Sequence, residues 1–359
     1  MKILIDIGHP AHVHYFRNFI NTMKAKGHEF LICARDKDVT HELLNGYNID
    51  YVSRGKGRKG IVGKAFYIIE GDVILLKFAR KFKPDLFLSF GSTYAAHVAK
   101  LIGKPHIALD DTEHAKLEHM LYVPFTNCVI TPKTFKKNFG SKHITFSGTM
   151  ENAYLHPSFY EPDFNYLEQI GLNKTKYFVL RFIEWSASHD IGHNGVSKKD
   201  MEMLINSLEK LGKVVISSES ELPDNFKHLK YNGDVTKIHT LLKGAELLIC
   251  ESGTMASEAA VLGTPTILIN SLVKEDDGIF SFLKKYGNLY HYQDFAGGIM
   301  KLKELLTVEN IKSDSIKSSS NYFSDTINLT DFLVWMVENY PESHQIIRQN
   351  PDYQERFKL

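Results

Sequence analysis

The sequence predicts an α/β chain made of two doubly wound domains, and three observations carry that expectation. Short apolar runs that read as buried parallel strands alternate with longer runs that read as helices. The alternation breaks once, between Ser147 and Pro162, where Gly148, Pro157 and Pro162 punctuate a polar, aromatic segment, and then restarts. At 359 residues the chain exceeds one typical core and suits two domains of roughly 150 to 200 residues each.

In the first half, residues 2–7 read as a strand, 12–26 as a helix stopped by Gly27, and 29–34 as the next strand, which together make a βαβ unit. Residues 86–89, 107–109 and 128–131 are further apolar strands, with helical stretches around 66–83, 93–102 and 115–121. In the second half the expected strands are 177–182, 213–217, 247–250 and 266–269, and the expected helices 198–211, 235–243 and 255–262. Trp335, Tyr340 and Tyr353 belong to a closing stretch that reads as a helix plus tail. The expected division is 1–155, 156–330 and a C-terminal helix and tail over 331–359. Two such domains, facing each other, would hold ligands in a cleft between the carboxyl ends of their sheets.

Composition narrows the function classes. A hydrophobic content of 43% suffices for two cores, and a formal net charge of +1 gives no global electrostatic case for nucleic acid. Cys33, Cys128 and Cys250 all sit in apolar, strand-like surroundings, so reduced, buried thiols and a cytoplasmic protein are expected. No Cys/His cluster suggests zinc. The opening MKILIDIGHP reads as a strand and turn rather than a signal peptide, and no apolar run reaches the length of a membrane span.

The segment ICESGTMASEAAVLGTPTILIN, residues 249–270, poses the functional question. An apolar strand breaks at Glu251-Ser252-Gly253-Thr254 before an Ala-rich helix begins. Such a turn leaves backbone N–H groups without partners at the positive end of a helix dipole, where a phosphate can sit. The plainer alternative is a βα turn in which Ser252 or Thr254 only caps the helix.

Two segments bring in a resemblance. Gly8-His9-Pro10-Ala11-His12-Val13, followed by a helix and Lys26-Gly27-His28-Glu29, is similar to the N-terminal Gly-rich loop and Gly-His-Glu turn of the lipid II-forming N-acetylglucosaminyltransferase. Glu251-Ser252-Gly253-Thr254 with Ser257-Glu258 and Gly263-Thr264-Pro265 resembles that enzyme's donor motif and the Ser-Gly-Gly segment of the non-hydrolysing UDP-N-acetylglucosamine 2-epimerases. The chain resembles most an uncharacterised GT-B-like family of archaeal and bacterial proteins, often encoded with polysaccharide genes. The resemblance implies the GT-B fold, two Rossmann-like domains facing across a cleft, and a nucleotide-sugar donor, expected to be a UDP-sugar. It makes Ser252, Gly253 and Thr254 the diphosphate cradle and Glu258 the ribose ligand, with Gly8 in the N-terminal loop.

Other residues extend this set. Arg181, closing the first strand of the second domain, can neutralise a diphosphate as a bidentate donor. His189, Asp190 and His193 could hold a metal, but no metal is expected. His12 stands where a Gly/Pro loop meets a helix start, so it can accept a proton from an acceptor hydroxyl or donate to a phosphate, with His9 as second choice. Asp110, Asp111 and Glu113 follow a strand, and paired carboxylates raise one another's pKa, which can poise a base. Solvated loop acids are the alternative. Glu113 resembles a glutamate of the epimerases, but their Gly-Asp-Thr is Gly91-Ser92-Thr93 here, without the aspartate. Gly55-Lys56-Gly57-Arg58-Lys59-Gly60 is a basic loop without Walker spacing and with no helix expected directly behind it; it either meets an anionic acceptor or is solvated.

The expectation is therefore a metal-independent glycosyltransferase in cell-surface polysaccharide or glycoconjugate synthesis. It uses no cofactor beyond its UDP-sugar, with His12, Asp111 or Glu113 as the candidate base. Its partners are the nucleotide-sugar donor and a saccharide or lipid-linked acceptor, with no nucleic acid. Peripheral contact with the inner face of the membrane and a homodimer stay open, as do a 2-epimerase and a non-catalytic nucleotide-sugar-binding protein.

Overall fold

Each apolar run found in the sequence becomes a strand whose neighbours run parallel to it. The computed structural model describes residues 1–58, 61–182, 196–218, 221–271, 273 and 278–359, with backbone only at 61, 62, 64 and 65. The chain forms two compact units, Met1–Phe159 with Asp325–Leu359, and Tyr160–Ser324. The boundaries thus fall at 159 and 324 rather than at 155 and 330, and the closing segment belongs to the first unit.

In the first unit, the elements in chain order are β1 (Lys2–Ile7), α1 (Pro10–Ala25), β2 (Glu29–Ala34), α2 (Thr40–Gly46), β3 (Val52–Ser53), α3 (Ile61–Phe82), β4 (Leu86–Phe90) and α4 (Thr93–Leu101). They continue with β5 (His106–Leu109), α5 (Lys116–Tyr122), β6 (Cys128–Pro132) and β7 (His143–Phe146). The sheet order is β3-β2-β1-β4-β5-β6-β7. The chain winds outward from β1 to β3, returns through α3, and winds the other way from β4, so the switch point lies between β1 and β4. There the loops after both strands open onto the carboxyl edge, the usual ligand position of such a sheet. Ile3, Leu4, Ile5, Phe87 and Leu88 are fully buried in its core.

The second unit holds α6 (Phe164–Gln169), β8 (Tyr177–Phe182), α7 (Lys198–Leu208), β9 (Lys213–Ser218), α8 (Ile238–Gly244), β10 (Leu247–Cys250) and α9 (Gly253–Val261). After these come β11 (Thr266–Ile269), α10 (Gly278–Lys284), β12 (Leu289–Tyr292), α11 (Phe295–Leu305) and α12 (Ile311–Asp325). Its sheet order is β12-β11-β10-β8-β9, which places the switch point between β8 and β10. One face packs Phe178, Leu180 and Ile249 against Leu204, Ile205 and Leu208 of α7.

Two expectations need correction. A helix does stand directly behind the basic loop, since α3 begins at Ile61. The closing stretch is α13 (Leu329–Glu338), α14 (Glu342–Gln349) and a 3-10 segment over Pro351–Phe357 rather than one helix and a tail. It is tied to the first unit by the Thr330 hydroxyl on the Ala153 carbonyl at 2.7 Å and by the Ser147 amide on the Gln354 side chain at 2.7 Å. The polar α12, an element the sequence reading left without assignment, docks by Ser319 Oγ donating to the Val261 carbonyl at 2.5 Å. Gly263 shows why that docking needs glycine: its φ is +79°, and a Cβ would stand 2.9 Å from the Ser315 carbonyl oxygen. Among the described residues no helix is long and apolar enough to cross a membrane. The three cysteines are free and buried.

Candidate functional site

Ser252 follows β10 at the switch point of the second sheet and is the N-cap of α9. It takes extended backbone angles, and its Oγ accepts the Met255 amide at 3.4 Å. The cap uses the hydroxyl as an acceptor, so its proton is still free to be donated. The amides of Gly253 and Thr254 fall in the first turn, where a helix supplies no acceptor, and no acidic residue occupies that turn. Ser252 thus caps α9, and the first-turn amides have no acceptor within the helix. Gly253 is required by packing as well, because a Cβ there would come within 2.9 Å of the Phe280 ring.

Glu258 lies one turn beyond Thr254 and is not a solvated helix residue: it is 6% exposed. Its Oε1 sits 3.1 Å from Nε2 of His239 on α8, itself fully enclosed. His239 was not singled out from the sequence, since only the packing of α8 on α9 brings the pair together. Arg181 is placed at the same edge. Its Cα pairs with Cys250 on one side and Ser217 on the other, its carbonyl accepts the Glu251 amide at 2.9 Å, and its Nη1 donates to Ser217 Oγ at 3.3 Å.

In the first unit the loop after β1 is organised by its histidines. His9 is the N-cap of α1, its Nδ1 accepting the Ala11 amide at 3.2 Å. His12 accepts the Gly8 amide on Nδ1 at 3.3 Å, and its ring lies 4.7 Å from that of Phe90 and 5.9 Å from that of Tyr15. Burial, then the neighbouring His9 and Lys37, hold His12 well below the usual imidazole pKa. A neutral imidazole that accepts on Nδ1 carries its proton on Nε2. His12 therefore presents a donor.

The loop after β5 is one strand removed from this point, because β4 lies between β1 and β5. Asp110 does not have the setting of a base. It is 3% exposed, and its carboxylate accepts from Tyr122 Oη at 2.5 Å and the Thr112 amide at 2.8 Å, with His119 Nε2 at 2.9 Å. Those partners hold the loop in shape. Asp111 and Glu113 are half-buried; Thr112 Oγ1 donates to Asp111 at 3.2 Å and the Lys136 amide to Glu113 at 3.1 Å.

Sequence reading also missed the buried pair beneath the switch point. Arg54 and Asp6 are both about fully enclosed, with Nε to Oδ1 at 2.8 Å and Nη2 to Oδ2 at 3.3 Å. Ser92 donates to the same Asp6 carboxylate at 2.5 Å and caps α4 through the Ala95 amide. An aspartate inside the apolar run KILIDI was the available signal, since a buried carboxylate requires a partner. Ser92, where the epimerases carry an aspartate, is thus committed to cap and core. His189, Asp190 and His193 lie outside the described residues, and among those described no cluster of metal-ligating groups occurs.

Two parallel α/β units, each with its loops gathered at a switch point, define the GT-B class, and solved structures of that class match along nearly the whole chain. The UDP-GlcNAc 2-epimerase from Neisseria meningitidis bound to UDP-GlcNAc is 14% identical, with a TM-score of 0.67 over 94% of this chain and 100% of that one. Spinosyn rhamnosyltransferase complexed with thymidine diphosphate is 15% identical, with a TM-score of 0.62 over 94% of this chain and 100% of that one. The chain belongs to the family described as "Protein of unknown function (DUF354)", whose model matches residues 1–340. An uncharacterised protein of Methanocaldococcus jannaschii is 25% identical over 306 residues, 82% of this chain and 88% of the relative.

Proposed function

We propose that this protein is a glycosyltransferase that takes a nucleotide-sugar, a UDP-sugar, in the synthesis of cell-surface polysaccharide or glycoconjugate. The observation that carries the reading is the start of α9, where a capping serine, two first-turn amides and Glu258 share one end of one helix. The amides and the Ser252 hydroxyl bind the diphosphate, Arg181 adds a positive charge at the same sheet edge, and Glu258, set by His239, accepts from the ribose hydroxyls. Preorganised N–H groups, a helix dipole and a guanidinium can carry the charge of the leaving diphosphate without a cation. The first unit serves the acceptor: His12 donates a hydrogen bond, and Asp111 or Glu113 takes the proton from the acceptor hydroxyl. The commitment of Ser92 to capping α4 favours transfer over epimerisation. Three buried thiols support a cytoplasmic protein.

A panel of UDP-sugars tests this directly, with and without a saccharide and lipid-linked acceptor extract, and with excess EDTA in a parallel series. UDP released only with acceptor, at an unchanged rate in EDTA, is the expected result. A changed sugar would show epimerisation, binding without product a non-catalytic binder, and loss of rate in EDTA restored by Mg²⁺ a metal enzyme.

A further inference from the structure

The carboxyl edge of the first sheet holds a cation without a partner. Arg35 follows β2, and its backbone is fixed by its amide on the Ile7 carbonyl at 2.9 Å. Among the described residues, no carboxylate or other acceptor takes its guanidinium N–H groups, and its Nε is shut off from solvent. Its neighbouring cations are provided for: Lys37 has Asp38 at 3.8 Å, Lys56 has Asp36 at 3.8 Å, and Arg58 has Glu70 at 2.9 Å. The Arg35 guanidinium instead lies 6.0 Å from the centre of the Tyr67 ring and against the backbone of Gly57. A Cβ on Gly57 would stand 2.1 Å from Nη2, so the glycine keeps the place that the guanidinium occupies. The loops that form this place are joined, the Asp36 amide donating to the Gly55 carbonyl at 3.0 Å.

The Arg35 side chain is half-buried, and a planar guanidinium matches an oxyanion with two parallel bonds. We propose that Arg35, packed on Gly57 and Tyr67, anchors an oxyanion site on the first unit, and that the acceptor carries a phosphoryl group. The inference rests on the reading that the first unit takes the acceptor, and it names the chemistry of that acceptor. A dianionic phosphoryl group gains more from a guanidinium than a monoanionic carboxylate does. Local charge agrees: His9, the cap of α1, is pushed down to about 4 by burial first and then by Lys37, with Arg35 adding to the effect and Asp38 opposing it.

Calorimetric titration of the full chain with inorganic phosphate, in the presence of saturating UDP, tests the proposal, with acetate as a parallel titrant. Wild type should bind phosphate, and Arg35→Gln should weaken it by about tenfold or more, the range for removing a charge-assisted pair. Gly57→Ala should weaken it similarly, because the backbone there is not left-handed and only the guanidinium must move. No phosphate binding by wild type, unchanged affinity in both variants, or acetate bound as tightly as phosphate would overturn it. The UDP titration that precedes each run separates the two readings: UDP affinity should be equal in wild type and Arg35→Gln. Its absence in wild type would sink the donor reading while leaving the Arg35 comparison intact.

Discussion

At the scale of single residues, the direction of one hydrogen bond sets which nitrogen of His12 can donate. His12 was expected as either a base or a donor, and the Gly8 amide on Nδ1 leaves Nε2 protonated. A glutamine places an N–H near the position of Nε2, so His12→Gln should keep kcat within about tenfold of wild type if donation is its task. Asp111→Asn or Glu113→Gln, whichever removes the base, should lower kcat by roughly 10²- to 10⁴-fold while UDP affinity stays within a few-fold. A His12→Gln enzyme with the larger loss, beside two active carboxylate variants, would return the base to His12. The candidate positions themselves were legible, because Gly, Pro and Ser at strand ends mark turns. The direction of the bond was not, since it depends on the backbone geometry of Gly8.

At the scale of elements, continuous apolar runs were the readable signal. Strands β8, β10 and β11 have the bounds expected of them because each is a mostly apolar, mostly buried run, interrupted only by Arg181 in β8 and Thr266 in β11. The short edge strands β7, HITF, and β12, LYHY, were missed; each interleaves polar with apolar residues and is flanked on one side only. The turn before α9 was legible as a break between strand and helix, whereas His239 and the Asp6–Arg54 pair were not, as each forms across elements distant in sequence. The pair gives a prediction. Removing one partner leaves a buried charge, so Arg54→Met should cost about 3 to 5 kcal/mol, and Asp6→Leu in the same chain should recover most of it. Urea denaturation of wild type, the single and the double variant measures this, and equal stability of the single and double variants would show that the ions do not depend on each other.

At the scale of the whole molecule, the first unit is completed by residues 325–359, which sequence order placed last and tertiary packing returns to the first sheet. The same unit contains several histidines whose pKa is lowered, chiefly by burial, among them His9 to about 4, His106 to about 3 and His156 to about 4. Each folded value lies below the unfolded value near 6.5, so the unfolded chain binds protons that the folded chain does not. Stability should therefore be full above about pH 6.5 and fall as the pH drops toward 4. Fully buried His106, with Ser89 Oγ and Thr126 Oγ1 each 2.9 Å from its ring nitrogens, should contribute up to about 1.4 kcal/mol per pH unit, and the half-buried His9 less. Hydrogen exchange at pH 7 and pH 5 should show the first unit losing protection first; equal protection at both values would contradict this.

The central claim is that the start of α9 holds the nucleotide, and calorimetric titration of UDP into wild type and Glu258→Ala tests it most directly. UDP should bind wild type, and the variant should lose on the order of 1 to 3 kcal/mol of binding, as expected for losing hydrogen bonds to a charged group. Melting curves of both proteins confirm that the variant, which removes the Glu258 contact of buried His239, is still folded at the temperature used. A folded Glu258→Ala protein with wild-type UDP affinity would contradict the account.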